Sequence, residues 1–589
     1  MVSNELVYVK DMIKHPFLVC VLALSAVLFA SSGAQAMQIA PANPEFVAWQ
    51  SGKSLGGGQF GYVPPPVDWA GKQAPSGKAA PPASFDLRTQ GALTSVKSQG
   101  ACGACWAFSA CSAMESWALW KLPQSLDFSE NNMKNHHGFL LGSCDGGNND
   151  MATAYLSRGD GPFLEADDSY NDMGVTVPVP GAKPVKYVMS MPVFTLGAGG
   201  DRTEIQNAIM TFGALSVALT WNDNAFNSST NTYYFHNNAG ASYGHAVAVV
   251  GWDDAKAVPG APGAGAWICK NNWATSWGEI GFFYISYYDT AAVKEARAFI
   301  NQVPAGTYSR IYQYDPLGMT GAAGSGVSND MWGANVYTTA SAGSITGVGT
   351  WAAGHNTSYQ VVVYRSGFNG GFSNPAANVS GTADQPGYFV VDLPAPVGVA
   401  SGEKFSVTVH YTTPGEPYPL PLEIPVAGYA NATAAAGQSY MSDDGATWQD
   451  IPTQGGTWSN ANACIKALVK EAATPVELTV YGPGLAQVGN ALNFLAVATN
   501  LVGAATYQWR MDSVNIGGAT QSTFVIPFAN TYNTGDYTVV VTDESKAAYE
   551  SRPYHVEVLP ADSIPVAGMA GLAALTAALA VLGAKRRRK

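Results

Sequence analysis

The chain has 589 residues, too many for a single core, and should divide into several folded units. Charged residues make up only 12%, against 47% hydrophobic and 64 glycines, a profile of a Gly-rich, β-rich exported protein rather than a cytosolic enzyme. The net charge of -12 argues against nucleic acid as a partner, and the dense basic cluster Lys585 to Lys589 is confined to the C-terminus.

Lys10, Lys14 and His15 precede an apolar run from Phe17 to Ala30, and Ala34-Gln35-Ala36 follows as a small-residue cleavage site. Residues 1–36 therefore read as a secretory signal, because the run is short for a membrane span. Of the seven cysteines, Cys20 lies in this run. The other six, Cys102, Cys105, Cys111, Cys144, Cys269 and Cys464, would enter a compartment that permits disulfides. Residues 37–80 are rich in Pro, Gly, Ala and Ser and carry no long amphipathic helix. Two readings stay open for them, a short pro-segment lying near an active site and a plain linker.

From Pro81 the texture changes. The stretch Gln99-Gly100-Ala101-Cys102-Gly103-Ala104-Cys105 is a small-residue turn running into an apolar helix, Trp106 to Lys121. Asp127-Phe128-Ser129-Glu130 reads as a capped turn, and further helices are expected at Asn149 to Ser157 and Thr203 to Phe212. Strand patterns follow at Leu215–Leu219, His245–Gly251, Ala266–Lys270 and Gly281–Ser286. Helices first and strands later describe an α+β domain.

A thiol at the first turn of a helix lies beside unpaired N–H groups and the positive dipole end, which favour a thiolate. Cys105 is therefore the candidate nucleophile. A nucleophile needs a base, a group that orients the base and donors for an oxyanion. His136 and His137 lie in a polar loop and are expected in solvent, as is His236 in a turn. His245 opens a fully apolar strand behind Gly244, which allows close chain approach, and is the candidate base. On the next strand the Asn271 amide oxygen can accept from the His245 ring, and Trp273 can cover that bond. Gln99 can aim its amide at an oxyanion beside the Cys105 backbone N–H.

These residues resemble those of the papain-like cysteine peptidases. Cys102-Gly103-Ala104-Cys105-Trp106 satisfies the family's signature around its nucleophile, and His245 falls within the window of roughly 130–150 residues downstream where the family has its base. Asn271 lies slightly beyond that window, after a Pro/Gly/Ala-rich insertion from Asp253 to Gly265 that lengthens a loop at small cost. The resemblance spans about Pro81 to Tyr288. It implies Cys105 as nucleophile, His245 as base and then acid, Asn271 as its orienter and Gln99 in the oxyanion hole. It also implies a Cys102–Cys144 disulfide, with Gly146, Gly147 and Trp273 at the substrate groove. The implied chemistry is peptide hydrolysis through a thioester, with no metal or organic cofactor. Ala274 stands where the family usually has Gly.

The organisation expected is multidomain: an α+β papain-like domain at 81–303 followed by two all-β sandwiches. The region 304–470 resembles the lectin-like domain that accompanies such peptidases in some bacteria, read here chiefly as a scaffold. Residues 475–560 resemble an immunoglobulin-like domain, with Trp509 as core tryptophan and Tyr537 at a tyrosine corner. At 563–589 an apolar helix and a basic end resemble a bacterial sorting signal or, alternatively, a membrane anchor. The function expected is that of an exported, surface-displayed cysteine endopeptidase acting on proteins or peptides, processed by a sorting enzyme. The competing reading is a catalytically silent surface adhesion protein on the same fold.

Overall fold

The computed structural model describes residues 36–560, except 53–59, 76, 176, 237–242, 472–475, 502–503 and 544–547. The expected signal segment, up to residue 35, and the expected C-terminal sorting or anchor segment at 563–589 lie outside the described residues. Among the described residues no helix is long and apolar enough to cross a membrane. The chain divides into two units, 1–471 and 472–589.

The first unit begins with a short strand at Gln38–Ile39 and helix α1 (Pro44–Gln50), whose start is capped by the Asn43 side chain on the Glu45 N–H. Helix α2 (Cys105–Lys121) follows, buried along nearly its whole length and from every side, as its apolar composition requires. Helix α3 (Glu130–His136) starts at Ser129, whose hydroxyl accepts from Asn132 N at 2.9 Å. Helix α4 (Asn149–Ser157) starts at Asn148, whose side chain accepts from Met151 N, and helix α5 (Thr203–Phe212) ends at Gly213 with φ 89°.

Against α2 lies an antiparallel sheet. Strand Tyr243–Asp253 runs between Leu215–Trp221 (Leu219 opposite His245) and Ala266–Lys270 (Ala248 opposite Lys270), with Phe282–Ser286 beyond. The Ser109 hydroxyl on α2 donates to the Val247 carbonyl at 2.7 Å, pinning the helix to the central strand. Trp252, Val249, Ile285 and Ile209 fill the core on the sheet side.

The sheet does not stop at residue 303. Lys186–Thr195 pairs with Ile300–Pro304 and Ala292–Arg297, and also with Gly387–Val399, where Phe389 lies opposite Ser190. Gly343–Ala352 and Ile465–Glu471 continue the same sheet. A second sheet, Pro375–Ala383, Thr357–Tyr364, Lys404–Thr412, Asp330–Thr338 and Ser439–Ser442, packs over it through Val361, Val407, Phe405 and Val348. The first two regions are thus joined by strand pairing, and one cluster crosses between them, with Trp106, Tyr155, Trp351 and Tyr429 all buried in it.

In the second unit, sheets built on Leu492–Thr499 and on Gly535–Thr542 share a core of Phe494, Trp509, Tyr537, Val539 and Val556. The Tyr537 hydroxyl donates to the Asn533 carbonyl at 2.9 Å, and Trp509 lies opposite Val539.

Candidate active site

Cys105 is the first residue of α2 and is fully buried. Burial pushes its thiol up to about 12, against backbone hydrogen bonds at the sulfur, led by that from Ala246 and followed by Trp106. The sulfur therefore sits beside the residue that follows His245. Asn272 ties the two elements together, its Nδ2 donating to the Cys105 carbonyl at 3.4 Å and the Ala246 carbonyl at 3.1 Å.

His245 is fully buried at the start of the central strand. Its Nε2 lies 2.9 Å from Asn271 Oδ1, and its Nδ1 has no hydrogen-bond partner among the described residues. With Nε2 donating to Asn271, Nδ1 is the nitrogen left to accept a proton. Asn271 Oδ1 also accepts from Asn272 N at 2.9 Å, which fixes the amide plane. Trp273 stacks on the imidazole at 4.5 Å between ring centroids and donates from Nε1 to Gln99 Oε1 at 3.2 Å. Desolvation lowers His245 to about 4, opposed by the Asn271 bond. Burial thus pushes both groups toward their neutral forms.

The N-terminal segment lies over this site. Residues Phe60–Val63 run through the groove as a strap. Gly147 N donates to Gly61 O and Val63 N donates to Gly147 O, both at 2.9 Å, while Tyr62 N donates to Gly244 O at 3.2 Å. Gln99 Nε2 donates to Phe60 O at 2.9 Å, and the Phe60 ring meets His245 at 5.4 Å. Gly61 is required here, because with φ 101° a Cβ would lie 2.0 Å from the Gly103 carbonyl oxygen. The chain approach that Gly244 permits is that of Tyr62, whose carbonyl oxygen would lie 2.4 Å from a Cβ on Gly244.

The strap is anchored on both sides. Trp69 is fully buried, donates to both Asp150 carboxylate oxygens at 2.9 and 3.0 Å and stacks on Trp351. Gln38–Ile39 pairs with Gly321–Gly324, Phe46 of α1 packs edge-on to Tyr429, and Lys72 pairs with Glu416. Residues of the 37–80 segment thus lie in the groove and on both of its flanks.

Cys102 and Cys144 form a disulfide with Cα atoms 4.8 Å apart, holding the nucleophile turn to the Gly146-Gly147 edge. Cys105, Cys111, Cys269 and Cys464 are free and buried. Ala274, in the turn after Trp273, adopts φ 63°, the left-handed conformation that glycine takes readily. One expectation is corrected. His137 is buried, not solvated: its Nδ1 accepts from Phe139 N at 3.0 Å, and burial next to Arg158 lowers it to about 4. The loop folds back under α4 through Arg158, which donates to the His137 carbonyl at 2.9 Å. His136 and His236 are exposed, as expected.

Sequence reasoning did not find Phe60, Gly61 or Asn272. Asn272 was marked only by adjacency to Asn271. The strap carried a weak signal, a glycine and an aromatic just ahead of Pro64-Pro65-Pro66.

Comparison with known proteins finds relatives for the first two regions. Residues 81–300 match the family model "Papain family cysteine protease", and residues 311–469 match "Lectin like domain". A cathepsin L-like peptidase of Aedes aegypti is 31% identical over 212 residues, 34% of this chain and 58% of the relative. Digestive cysteine proteinase 1 of Homarus americanus is 32% identical over 212 residues, 35% and 62% of the two chains. The chain thus spans about three-fifths of the length of these relatives. Among solved structures, the cysteine protease and lectin-like domains of Cwp84, a surface layer associated protein of Clostridium difficile, align with a TM-score of 0.64 at 23% identity, covering 74% of this chain and 98% of that one. A second structure of that protein, a variant after propeptide cleavage, aligns at 0.58 and 25% identity, covering 66% and 100%. The chain carries a papain-family cysteine protease domain followed by a lectin-like domain.

Proposed function

We propose that the protein is an exported cysteine endopeptidase, held latent by its own N-terminal segment, that hydrolyses peptide bonds of protein substrates. The observation that carries this reading is the arrangement of Cys105 at the start of α2, its sulfur on the Ala246 N–H, beside His245 bonded through Nε2 to Asn271. Once the strap leaves, water and the helix N-terminus favour a thiolate at Cys105 and an imidazolium at His245. The sulfur attacks the scissile carbonyl, and the oxyanion takes the Gln99 amide and the Cys105 N–H as donors. His245 protonates the leaving amine, then takes a proton from the water that hydrolyses the thioester. Asn271 keeps the ring in the tautomer that presents Nδ1. Gly146 and Gly147 pair with the substrate backbone, as Gly147 now does with the strap.

The Cys102–Cys144 disulfide supports residence in an oxidising compartment, and the surface-layer association of Cwp84 supports display on a bacterial surface. The Tyr537–Asn533 bond and buried Trp509 support an immunoglobulin-like reading of 475–560 as a spacer. For the lectin-like domain the scaffold reading is favoured by the shared sheet and core. The segment 563–589 is read as a sorting signal that anchors the chain in the membrane until processed.

The test is an epoxysuccinyl label on the chain after the strap is released by limited cleavage, under reducing conditions. Labelling at Cys105, with peptide hydrolysis that Cys105→Ala abolishes, is expected. Absence of both in a chain shown to have lost its strap rejects the enzyme and leaves a papain-fold binding protein.

A further inference from the structure

The groove edge Gly146-Gly147 belongs to loop 138–148, which enters α4 at Asn148. The Cys102–Cys144 disulfide holds that loop from the side of the nucleophile turn. Gly147 lies directly on Trp106, since a Cβ there would come within 2.5 Å of the indole. The other hold on the loop comes from outside the protease domain. A tight turn at 426–430, in the region that matches the lectin-like model, is closed by the Val426 N–H donating to the Ala430 carbonyl at 2.9 Å. That turn sets Tyr429 against the loop.

Tyr429 is fully buried and meets the loop at both ends. Its hydroxyl bonds the Asn148 amide, accepting from Nδ2 at 3.0 Å and donating to Oδ1 at 3.1 Å. Its carbonyl accepts from Leu140 N at 2.9 Å, and its ring packs on Phe139 with centroids 4.9 Å apart. Asn148 Oδ1 also accepts from Met151 N at 3.0 Å, so the residue that Tyr429 grips is the cap of α4. One contact of Tyr429, edge-on with Phe46, comes from the N-terminal segment. The bonds to Asn148 and Leu140 and the packing on Phe139 are made to the protease domain itself, and none of them runs through that segment.

We propose that Tyr429, a residue of the lectin-like region, is a positioning residue for peptide hydrolysis: through Asn148 it fixes the Gly147 edge on which the substrate backbone pairs. The proposal rests on the peptidase reading above. Pairing with Gly147 holds the bound peptide before and during reaction alike. An edge that wavers therefore weakens substrate and transition state equally, and the loss appears in KM rather than in kcat. Removing the Tyr429 hydroxyl deprives the buried Asn148 Nδ2 of that acceptor and frees the Asn148 end of the loop, while Cys144 stays tied. The lectin-like region thereby acts on the groove as well as on the sheet that it shares.

The experiment uses the full chain after strap release, with a peptide substrate and with p-nitrophenyl acetate, a small ester that has no peptide group to pair with Gly147. Tyr429→Phe keeps the ring and removes the hydroxyl. It is expected to raise KM for the peptide by about fivefold or more, with kcat for the peptide and kcat/KM for the ester each within about twofold of the parent. Asn148→Ser, which still caps α4 but is too short to reach Tyr429, is expected to show the same split, and the double variant no more than the larger single effect. A peptide KM within about twofold of the parent in both single variants, an equal loss on ester and peptide, or effects that add in the double variant overturns the proposal. If Tyr429→Phe does not fold, Asn148→Ser decides alone. Failure of the parent chain to hydrolyse either substrate, with no label on Cys105, rejects the peptidase reading instead.

Discussion

Gln99 donates from Nε2 to the Phe60 carbonyl at 2.9 Å and, from the same nitrogen, to the Cys102 carbonyl at 2.8 Å. The amide assigned to a substrate oxyanion thus already holds a carbonyl of the chain's own N-terminal segment. On the proposed function one donor serves both latency and catalysis, and its removal should act on both in opposite directions. Gln99→Ala is expected to lower peptide turnover of the released enzyme by about 10²–10³-fold. The same change should speed epoxysuccinyl labelling of the intact chain. A loss of turnover below about tenfold would remove the oxyanion role.

Gly61→Ala is the sharpest test of the strap. The added carbon would lie 2.0 Å from the Gly103 carbonyl, on a backbone with φ 101°. Phe60–Val63 must lift from the groove, and labelling of Cys105 in the uncleaved chain should rise by about tenfold or more. An unchanged labelling rate would show that the strap does not control access.

The pH dependence of thiol alkylation should separate the closed and open states. Under the strap, burial holds Cys105 up at about 12 and His245 down at about 4. The closed chain should alkylate slowly and almost without pH dependence from 5 to 9, because little thiolate forms. Strap release should move the rise in rate to much lower pH. In the proposed open state the ring carries its proton opposite the thiolate, and on closure that proton returns to sulfur as burial lowers His245 to about 4, so the ring itself adds little pH dependence to closure near neutral pH. Identical iodoacetamide profiles before and after release would be incompatible with this.

Two buried carboxyls give folding stability the opposite slope. Burial raises Glu423 and Glu295 to about 8. Each holds its proton in the fold after the unfolded chain has lost it. Their stabilising contribution is therefore complete below about 4.5 and lost as pH rises through about 8. The Tm should fall between pH 5 and 8, and Glu423→Gln should flatten that slope. A slope unchanged in the variant would show that Glu423 is ionised in the fold.

The disulfide spans 42 residues and ties the nucleophile turn to the Gly147 edge. Cys144→Ser is expected to cost roughly 2–4 kcal/mol in denaturant unfolding. It should also weaken substrate binding through the loosened edge. A cost under about 1 kcal/mol would mean that the surrounding core alone holds the turn.

Much of the site was legible in the sequence because its parts are local. A small-residue turn entering an apolar helix marks Cys105, and an apolar strand behind glycine marks His245. Helices α4 and α5 follow the predicted bounds because caps at Asn148 and Gly213 delimit them. What was not legible depends on distant partners. Nothing in Phe60-Gly61-Tyr62 announces that its carbonyl meets Gln99 or its backbone meets Gly147, since that segment has neither periodicity nor charge. His137 looked solvated from its polar neighbours, but it lies against Trp106 and Phe139, with Arg158 returning from the end of α4 to its carbonyl. The contact of the Phe60 ring with His245 likewise depends on that distant segment.

The pairing of Phe389 with Ser190 has a practical consequence. Cutting the chain after residue 303 to isolate the catalytic part would strip the Lys186–Thr195 strand of a neighbour over Ser190–Pro192. It would also uncover the side of the core that Trp351, Tyr388 and Tyr429 close. An open strand edge beside bare aromatic surface invites edge-to-edge association of copies. The protein is therefore best produced with residues 304–471 retained, and its catalytic part is better regarded as an inseparable portion of a larger fold than as a portable module.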